Sequence, residues 1–200
     1  MESVIHLKIG EKMYQGEVTY EEGDLLEAVF PERLHITIGN SYDCLISRNL
    51  DILDSFQAVL LAKKDKRIVL FHSPTIAEFR EQRRRYPRFD VNFRGWLKGV
   101  QHAAAHGPKS LMIEVINVGM GGFAFRCEQK LSLQQTYHLF TELPGPGKDK
   151  EQLQAKVEIL HERTTRSLMY GCKIVGISPK NLHILRRYIL SRQLQQLDFC

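Results

Sequence analysis

Hydrophobic and polar positions alternate in short runs over the first part of this chain, up to about residue 73. Alternation with a period of two places successive side chains on opposite faces of a β-strand, and glycine-rich or acidic breaks indicate turns between strands. The segments predicted as strands are VIHLKI, MYQGEVTY, LLEAVF, LHITI, YDCLIS, FQAVLLAK and RIVLFH. We therefore expect a small barrel or sandwich in this part of the chain.

The same pattern returns after about residue 88 and predicts a second β-rich unit. The loop LPGPGKDKEQ interrupts this second set because its glycines and prolines favour turns. The predicted strands are FDVNFRGWLKGV, SLMIEVINV, FAFRCE, TYHLFTEL, LQAKVEILHER and LMYGCKIVGI.

The chain ends in a different pattern. Ser178 and Pro179 form an N-cap and first-turn pair, and Leu182, Leu185 and Ile189 then recur at helical spacing. We expect a terminal helix packed on the second barrel.

Between the two β-rich sets, SPTIAEFREQRRRYPR predicts a connector with a short helix that ends before Pro87. The expected organisation is an N-terminal β-barrel at 1–75, a linker at 76–88 and a second domain at 89–200.

Composition fits a globular protein, with 43% hydrophobic and 26% charged residues. The net charge of +5 is too small to require nucleic acid as a partner. The four cysteines form no CxxC pair, so we interpret them as reduced thiols. The start of the chain lacks the pattern of a signal peptide, and long apolar runs are absent from the sequence. We expect a cytoplasmic protein without stable membrane insertion.

The densest charge lies in RRRYPRFD, at residues 83–90. Charge runs are commonly solvated linkers or basic arms. An arginine guanidinium also makes bidentate hydrogen bonds to phosphate, binds the O6 and N7 edge of guanine, and stacks on bases. A guanine nucleotide with two phosphates is therefore a suitable ligand for such a segment where it faces a glycine turn.

A glycine-rich turn, NVGMGGFA, follows the apolar run LMIEVI. Its spacing satisfies the loose dinucleotide pattern GxGxxA, but that fingerprint requires a helix after the glycines. Here Phe123, Phe125 and Cys127 alternate with polar or small residues, which predicts a strand instead. Glycines in such a turn can adopt positive φ and allow a ligand close to the backbone, although a simple tight hairpin also explains them.

The two motifs together resemble those of PilZ domains. Arg84 to Arg88 resembles the RxxxR element, and Asn117 to Gly122, about thirty residues later, resembles the [D/N]xSxxG element. The resemblance implies a small antiparallel β-barrel that binds the bacterial second messenger cyclic di-GMP. It also implies that the ligand-binding residues are Arg83, Arg84, Arg88, Asn117, Gly119, Gly121 and Gly122.

One position departs from the family pattern, since Gly119 stands where the family has serine. A lost hydroxyl donor to a charged ligand removes about 1.5 to 3 kcal/mol of binding free energy. Both arginines of the motif and the asparagine remain, so we expect binding to persist in weakened form. The alternative is a degenerate PilZ adaptor that binds no nucleotide and acts by protein contact alone.

The first half of the chain resembles the β-rich N-terminal domain of flagellar brake regulators, through a diffuse pattern rather than a sharp motif. The resemblance implies two tandem antiparallel β-barrels, mainly β in class, with a C-terminal helix on the second. Because the arginines lie in the connector between the two β-rich units, we further predict a receptor whose arginine linker orders on cyclic di-GMP binding and changes contact with an effector. The flagellar motor and the polysaccharide synthesis machinery are both candidate effectors, with motility or biofilm formation as the output, and the protein is either a monomer or a homodimer.

Other chemistry finds little support in the sequence. His102 and His106 are four residues apart, but GVQHAAAHGPKS supplies no third ligand, so we expect a loop and no metal site. No GxSxG motif or recognisable cysteine nucleophile is present, and we expect no enzyme activity. A nucleic-acid-binding barrel is a weaker alternative because the aromatic stacking platform of single-strand binders is missing.

Overall fold

The structure is a computed structural model that describes residues 3–48, 52–72, 86–100, 109–145, 149–164 and 167–199. Within these residues the chain forms two closed six-stranded antiparallel barrels and a C-terminal helix, which confirms the mainly β tandem-barrel prediction. The chain divides into two compact units. Unit 1 is Met1–Tyr86 with Gln193–Cys200, and unit 2 is Pro87–Arg192.

The barrel of unit 1 closes in the strand order β1-β2-β3-β6-β5-β4. Alternate side chains of each strand point inward, and the interior is filled by aliphatic residues such as Ile5, Leu26 and Leu60. Its strands are β1 Ser3–Ile9, β2 Lys12–Glu22, β3 Leu25–Val29, β4 Ser41–Arg48, β5 Ile52–Lys64 and β6 Arg67–Phe71.

The predicted strand LHITI is wrong. Residues 34–37 have no regular secondary structure and Ile38 lies in a turn, although Leu34 and Ile36 are 8% and 4% exposed and pack into the core of unit 1. The alternation of hydrophobic and polar residues therefore reflects side chains that are alternately buried and exposed. The backbone of this segment does not pair with a neighbouring strand. Hydrogen bonds from side chains hold this segment, including one of 2.6 Å from Lys63 Nζ to the carbonyl of Ile36.

A buried carboxylate organises the polar contacts of unit 1. Glu27 is 5% exposed, and its two oxygens accept hydrogen bonds from Arg67 Nε at 2.8 Å and Thr19 Oγ1 at 2.6 Å. The cost of burying this charge is offset because both oxygens have donors and the partner is a cation. Arg67 also donates to the carbonyl of Leu197 at 3.0 Å, which ties the end of the chain into unit 1.

The barrel of unit 2 closes in the order β10-β11-β12-β9-β8-β7. Its core contains several large side chains that are essentially inaccessible, among them Phe125, Leu139 and Tyr170. Its strands are β7 Arg88–Val100, β8 Lys109–Gly119, β9 Gly122–Cys127, β10 Thr136–Pro144, β11 Lys150–Thr164 and β12 Leu168–Ile177.

The C-terminal helix α1 spans Pro179–Gln196. Its predicted start is confirmed, because the backbone N–H of Asn181 donates to Ser178 Oγ at 3.3 Å and the chain becomes helical at the following proline. The predicted apolar stripe is wrong at Leu182, which is 39% exposed. The helix instead contributes Ile184, Leu185, Tyr188 and Ile189 to the core of unit 2.

Cys44, Cys127 and Cys172 are buried free thiols, as predicted, and Cys200 lies outside the described residues. Burial raises the pKa of both Cys44 and Cys172 to about 12, since the charged thiolate is poorly solvated there. Neutral thiols are weak nucleophiles, so these cysteines act as apolar core residues. None of the helices that the structure describes is long and apolar enough to span a membrane.

Gly122 closes the barrel of unit 2 at the contact between β9 and β12. A Cβ atom at this position would lie 2.0 Å from the carbonyl oxygen of Cys172, a distance that no side chain can occupy. The neighbouring Gly121 is different, because a Cβ there meets no atom within 4 Å and its backbone lies outside the left-handed region. Of these two glycines, only Gly122 is required by the packing.

We therefore expect Gly122→Ala to lower the free energy of unfolding by about 3 kcal/mol, because the backbone of β12 must move to admit the methyl group. The matched control, Gly121→Ala, should change it by about 1 kcal/mol or less. Chemical denaturation of the two variants measures both values. Equal stability of the variants would show that β9 and β12 do not approach as closely as described.

Candidate ligand-binding site

Two motifs that lie about thirty residues apart in the sequence are adjacent in the barrel of unit 2. The register of β7 and β8 places Arg88 directly opposite Gly119, and Asp90 directly opposite Asn117. Phe89, which lies between Arg88 and Asp90 on β7, is 4% exposed and points into the core. Because side chains alternate along a strand, Arg88, Asp90, Asn117 and Gly119 share the outer face of the barrel.

The side chain of Asn117 is held in place by its cross-strand neighbour. Its Nδ2 donates a hydrogen bond of 3.0 Å to Asp90 Oδ1. One N–H of the amide is engaged there, which leaves the second N–H as a donor and Oδ1 as an acceptor for a ligand. The local fixation of Asn117 is thus compatible with ligand recognition by the same side chain.

Sequence reasoning missed Asp90, which it treated only as the end of the charged run. Two signals could have identified it. Asp90 lies two residues after Arg88 and therefore on the same face of a strand. Asn117 lies two residues before Gly119 on the antiparallel neighbour. Pairing Arg88 with Gly119 therefore places Asp90 opposite Asn117.

Gly119 makes room for the aliphatic part of Arg88. A Cβ atom at position 119 would lie 3.1 Å from Arg88 Cγ and 3.3 Å from the carbonyl oxygen of Pro87. These distances are a few tenths of an ångström too short, so a side chain here requires Arg88 to shift. The serine of the family pattern would therefore have to share this space with the arginine.

The glycines of the turn do not use the left-handed backbone that the sequence suggested. Among the described residues, the glycines with positive φ are Gly10, Gly23, Gly39 and Gly99. Space is instead restricted at this turn, slightly at Gly119 against Arg88 and severely at Gly122 against β12. The role of Gly121 in ligand binding stays a prediction, as do the roles of the other two.

The remaining predicted contacts, Arg83 and Arg84, lie outside the described residues. Tyr86, between the two arginines of the motif, is described, and its hydroxyl hydrogen bonds to Asp24 Oδ1 at 2.9 Å within unit 1. Asp24 is 2% exposed, so this hydrogen bond is largely shielded from solvent. The boundary between the two units follows directly, between Tyr86 and Pro87.

The site contains no arrangement that suggests a metal centre. In the part of the chain that the structure describes, no three histidine, cysteine or acidic side chains are grouped closely enough to hold a metal ion. His102 and His106 lie outside that part. Arg88 carries the exposed positive charge beside Gly119, and the chemistry that this arrangement offers is binding of an anion.

Similar solved structures include the motility inhibitor MotI/DgrA of Bacillus subtilis, 17% identical with a TM-score of 0.47, covering 98% of this chain and 97% of that one. Another is Escherichia coli YcgR in complex with c-di-GMP, 12% identical with a TM-score of 0.46, at coverages of 98% and 86%. A third is the K. pneumonia MrkH complex with c-di-GMP, 13% identical with a TM-score of 0.42, at coverages of 97% and 88%.

A search of the curated proteins gave no significant match. The family model described as the PilZ domain matches residues 82–191. This segment is more than half of the 200-residue chain and contains the arginine segment, the glycine turn and all six strands of unit 2. The chain therefore belongs to the PilZ domain family.

Proposed function

We propose that this protein is a bacterial cytoplasmic receptor for cyclic di-GMP, with no catalytic activity of its own. The dinucleotide binds to Arg83, Arg84 and Arg88 on one side and to the outer face around Asn117 and the turn at 119–122 on the other. The observation that carries the proposal is the cross-strand pairing of Arg88 with Gly119 in a chain of the PilZ family.

The chemistry of the ligand matches this face. Each phosphate of the dinucleotide offers two non-bridging oxygens, which the planar guanidinium of an arginine binds through two hydrogen bonds. Guanine presents acceptors at O6 and N7 and N–H donors on its pairing edge. Arg88 is suited to the phosphates and acceptors, and the oxygens of Asp90 and Asn117 are suited to the donors.

The proposed response is an ordering of the arginine segment. The positive charges of residues 83–88 repel one another without ligand, and the phosphates of the dinucleotide neutralise them. The segment then folds onto the turn at 119–122 and changes the surface available to an effector partner. Motility or biofilm formation is the proposed output.

Titration calorimetry tests the binding step. We expect saturable binding of cyclic di-GMP to the wild-type protein, and Arg88→Ala should weaken it by about 100-fold or more through loss of a charge-assisted bidentate contact. The matched control is Arg94→Ala, which removes the same charge from an exposed position six residues further along β7.

Circular dichroism of both variants verifies that the barrel is intact. Absence of saturable heat for the wild-type protein at tens of micromolar ligand would overturn the receptor proposal. Equal weakening by Arg88→Ala and Arg94→Ala would instead point to general electrostatic attraction without a site at Arg88.

The position of Gly119 generates a second prediction. Gly119→Ala and Gly119→Ser crowd Arg88 to the same extent, but only serine adds a hydroxyl that reaches the ligand. We expect the serine variant to bind cyclic di-GMP about tenfold more tightly than the alanine variant, since a hydrogen bond to a charged group contributes about 1.5 kcal/mol or more. Parallel calorimetric titrations give the ratio; indistinguishable affinities would place the ligand away from position 119.

An adaptor that binds no nucleotide is the second candidate function. The glycine at position 119 favours it, because the serine donor of the family pattern is missing. The two functions differ in the calorimetric titration, where an adaptor gives no saturable heat with any cyclic dinucleotide. Arg88 on the open face beside Gly119 is the observation that makes the receptor the better supported of the two.

A further inference from the structure

Three apolar side chains form a row across the outside of the unit 2 barrel, away from the arginine motif. Met112 on β8 lies opposite Trp96 on β7, and Trp96 lies opposite Phe140 on β10. We call these three residues the apolar strip. Neighbouring strands are about 4.8 Å apart, so the strip is about 10 Å long.

The strip is directed toward solvent. The residues that follow along the strands, Leu97 and Ile113, belong to the core, and alternation therefore places Trp96 and Met112 outside. Trp96 is 42% exposed and Met112 is 66% exposed. Trp96 is the one tryptophan of the chain. Adjacent exposed apolar side chains of this size are a feature of protein interaction sites.

A groove of about 650 Å³ lies beside the strip, lined by Trp96, Phe140, and by Lys180 and Asn181 from the first turn of α1. One wall is held by hydrogen bonds of the Asn181 side chain. Asn181 Oδ1 accepts a hydrogen bond of 3.0 Å from the backbone N–H of Gln154, and Asn181 also hydrogen bonds to the helix cap at Ser178. The groove is thus formed before any partner arrives, which lowers the entropy cost of binding.

Basic side chains flank the strip on one side. Lys98, His138 and Lys156 lie opposite one another across β7, β10 and β11, and all three are exposed. The ammonium group of Lys98 also lies 4.7 Å from the centre of the Phe140 ring. Within the described residues, no carboxylate forms an ion pair with Lys98, Lys156 or Lys180, whereas Glu142 at the groove is 3.7 Å from Lys150.

We propose that this surface binds an acidic protein segment that places a bulky apolar side chain in the groove against the apolar strip. The unpaired lysines supply charge complementarity, and the strip supplies the apolar contact. Nucleic acid fits less well, because Met112 offers no ring for base stacking and Lys98 covers one face of Phe140.

The surface is the proposed contact site for the effector in the receptor function, and to that extent it rests on the proposed function. Binding at the strip does not involve Arg88 or the turn at 119–122, however. A titration without dinucleotide tests the surface by itself. Binding of cyclic di-GMP without peptide binding would refute the proposed surface and leave the receptor proposal intact. Peptide binding without binding of cyclic di-GMP would refute the receptor proposal and leave the surface intact.

The test uses three synthetic peptides with a central Leu-Phe pair, flanked by Asp and Glu, by Ser and Gln, or by Lys. The fluorescence of Trp96 reports on the site directly, since the peptides contain no tryptophan. We expect a saturable blue shift with the acidic peptide, and about tenfold weaker binding of the neutral peptide at low salt, from the loss of several exposed charge pairs.

Variants assign the binding to the surface. The double variant Lys98→Glu with Lys156→Glu should weaken binding of the acidic peptide by about tenfold or more, and Met112→Ser should weaken binding of all the peptides that bind. All three residues are exposed, and substitutions at exposed positions usually change stability by less than about 0.5 kcal/mol. Lys130→Glu, at an exposed loop position that does not line the groove, makes the same charge reversal as each of the two single substitutions; it is the control and should leave the affinity unchanged.

Three results would overturn the proposal. One is an acidic peptide that binds no better than the basic peptide. Another is equal loss of affinity in Lys130→Glu and in the double variant, which would show attraction to the overall charge of the protein. The last is a larger shift of Trp96 fluorescence with oligo(dT) than with the acidic peptide, which would make the surface a nucleic-acid site.

Discussion

The register between β7 and β8 is the constraint on which both proposed surfaces depend. It is set by core packing, because Phe89 and Val118 face each other inside the barrel and determine which residues face outward. A slip of one residue would turn Arg88 and Asp90 inward and leave two charges buried without partners. The energy of the hydrophobic core thus specifies the arrangement of a polar site on the opposite face of the same strands.

One strand, β7, carries residues of both surfaces. Arg88 is at its start and Trp96 is eight residues further, a distance of about 25 Å along an extended strand. Both side chains point outward because an even number of residues alternates back to the same direction, with the bulge after Asp90 as a local irregularity. The two surfaces therefore share a scaffold yet are too far apart for one ligand to cover both.

The sequence predicted most of the strands because side chains of a barrel strand point alternately to the core and to solvent. Hydrophobic and polar residues therefore alternate with a period of two. It failed where alternate burial occurs without strand pairing, as at Leu34 and Ile36, and where a helix packs on a curved surface, so that Leu182 is exposed and Ile184 is buried. At the candidate site, the arginine and glycine motifs were visible. Asp90 was not recognised, since its hydrogen bond to Asn117 depends on pairing the two motifs in the register of β7 and β8.

Gly119 shows how the structure changes the interpretation of a motif departure. From the sequence, the missing serine is a lost hydrogen-bond donor and nothing else. In the barrel, position 119 faces Arg88, and the space that a side chain would occupy is the space against which the arginine stem lies. The two positions are therefore coupled, and their substitutions should not be additive. Glycine at position 119 loses the hydroxyl contact of a serine, but it leaves space for Arg88, the residue that binds the proposed anion.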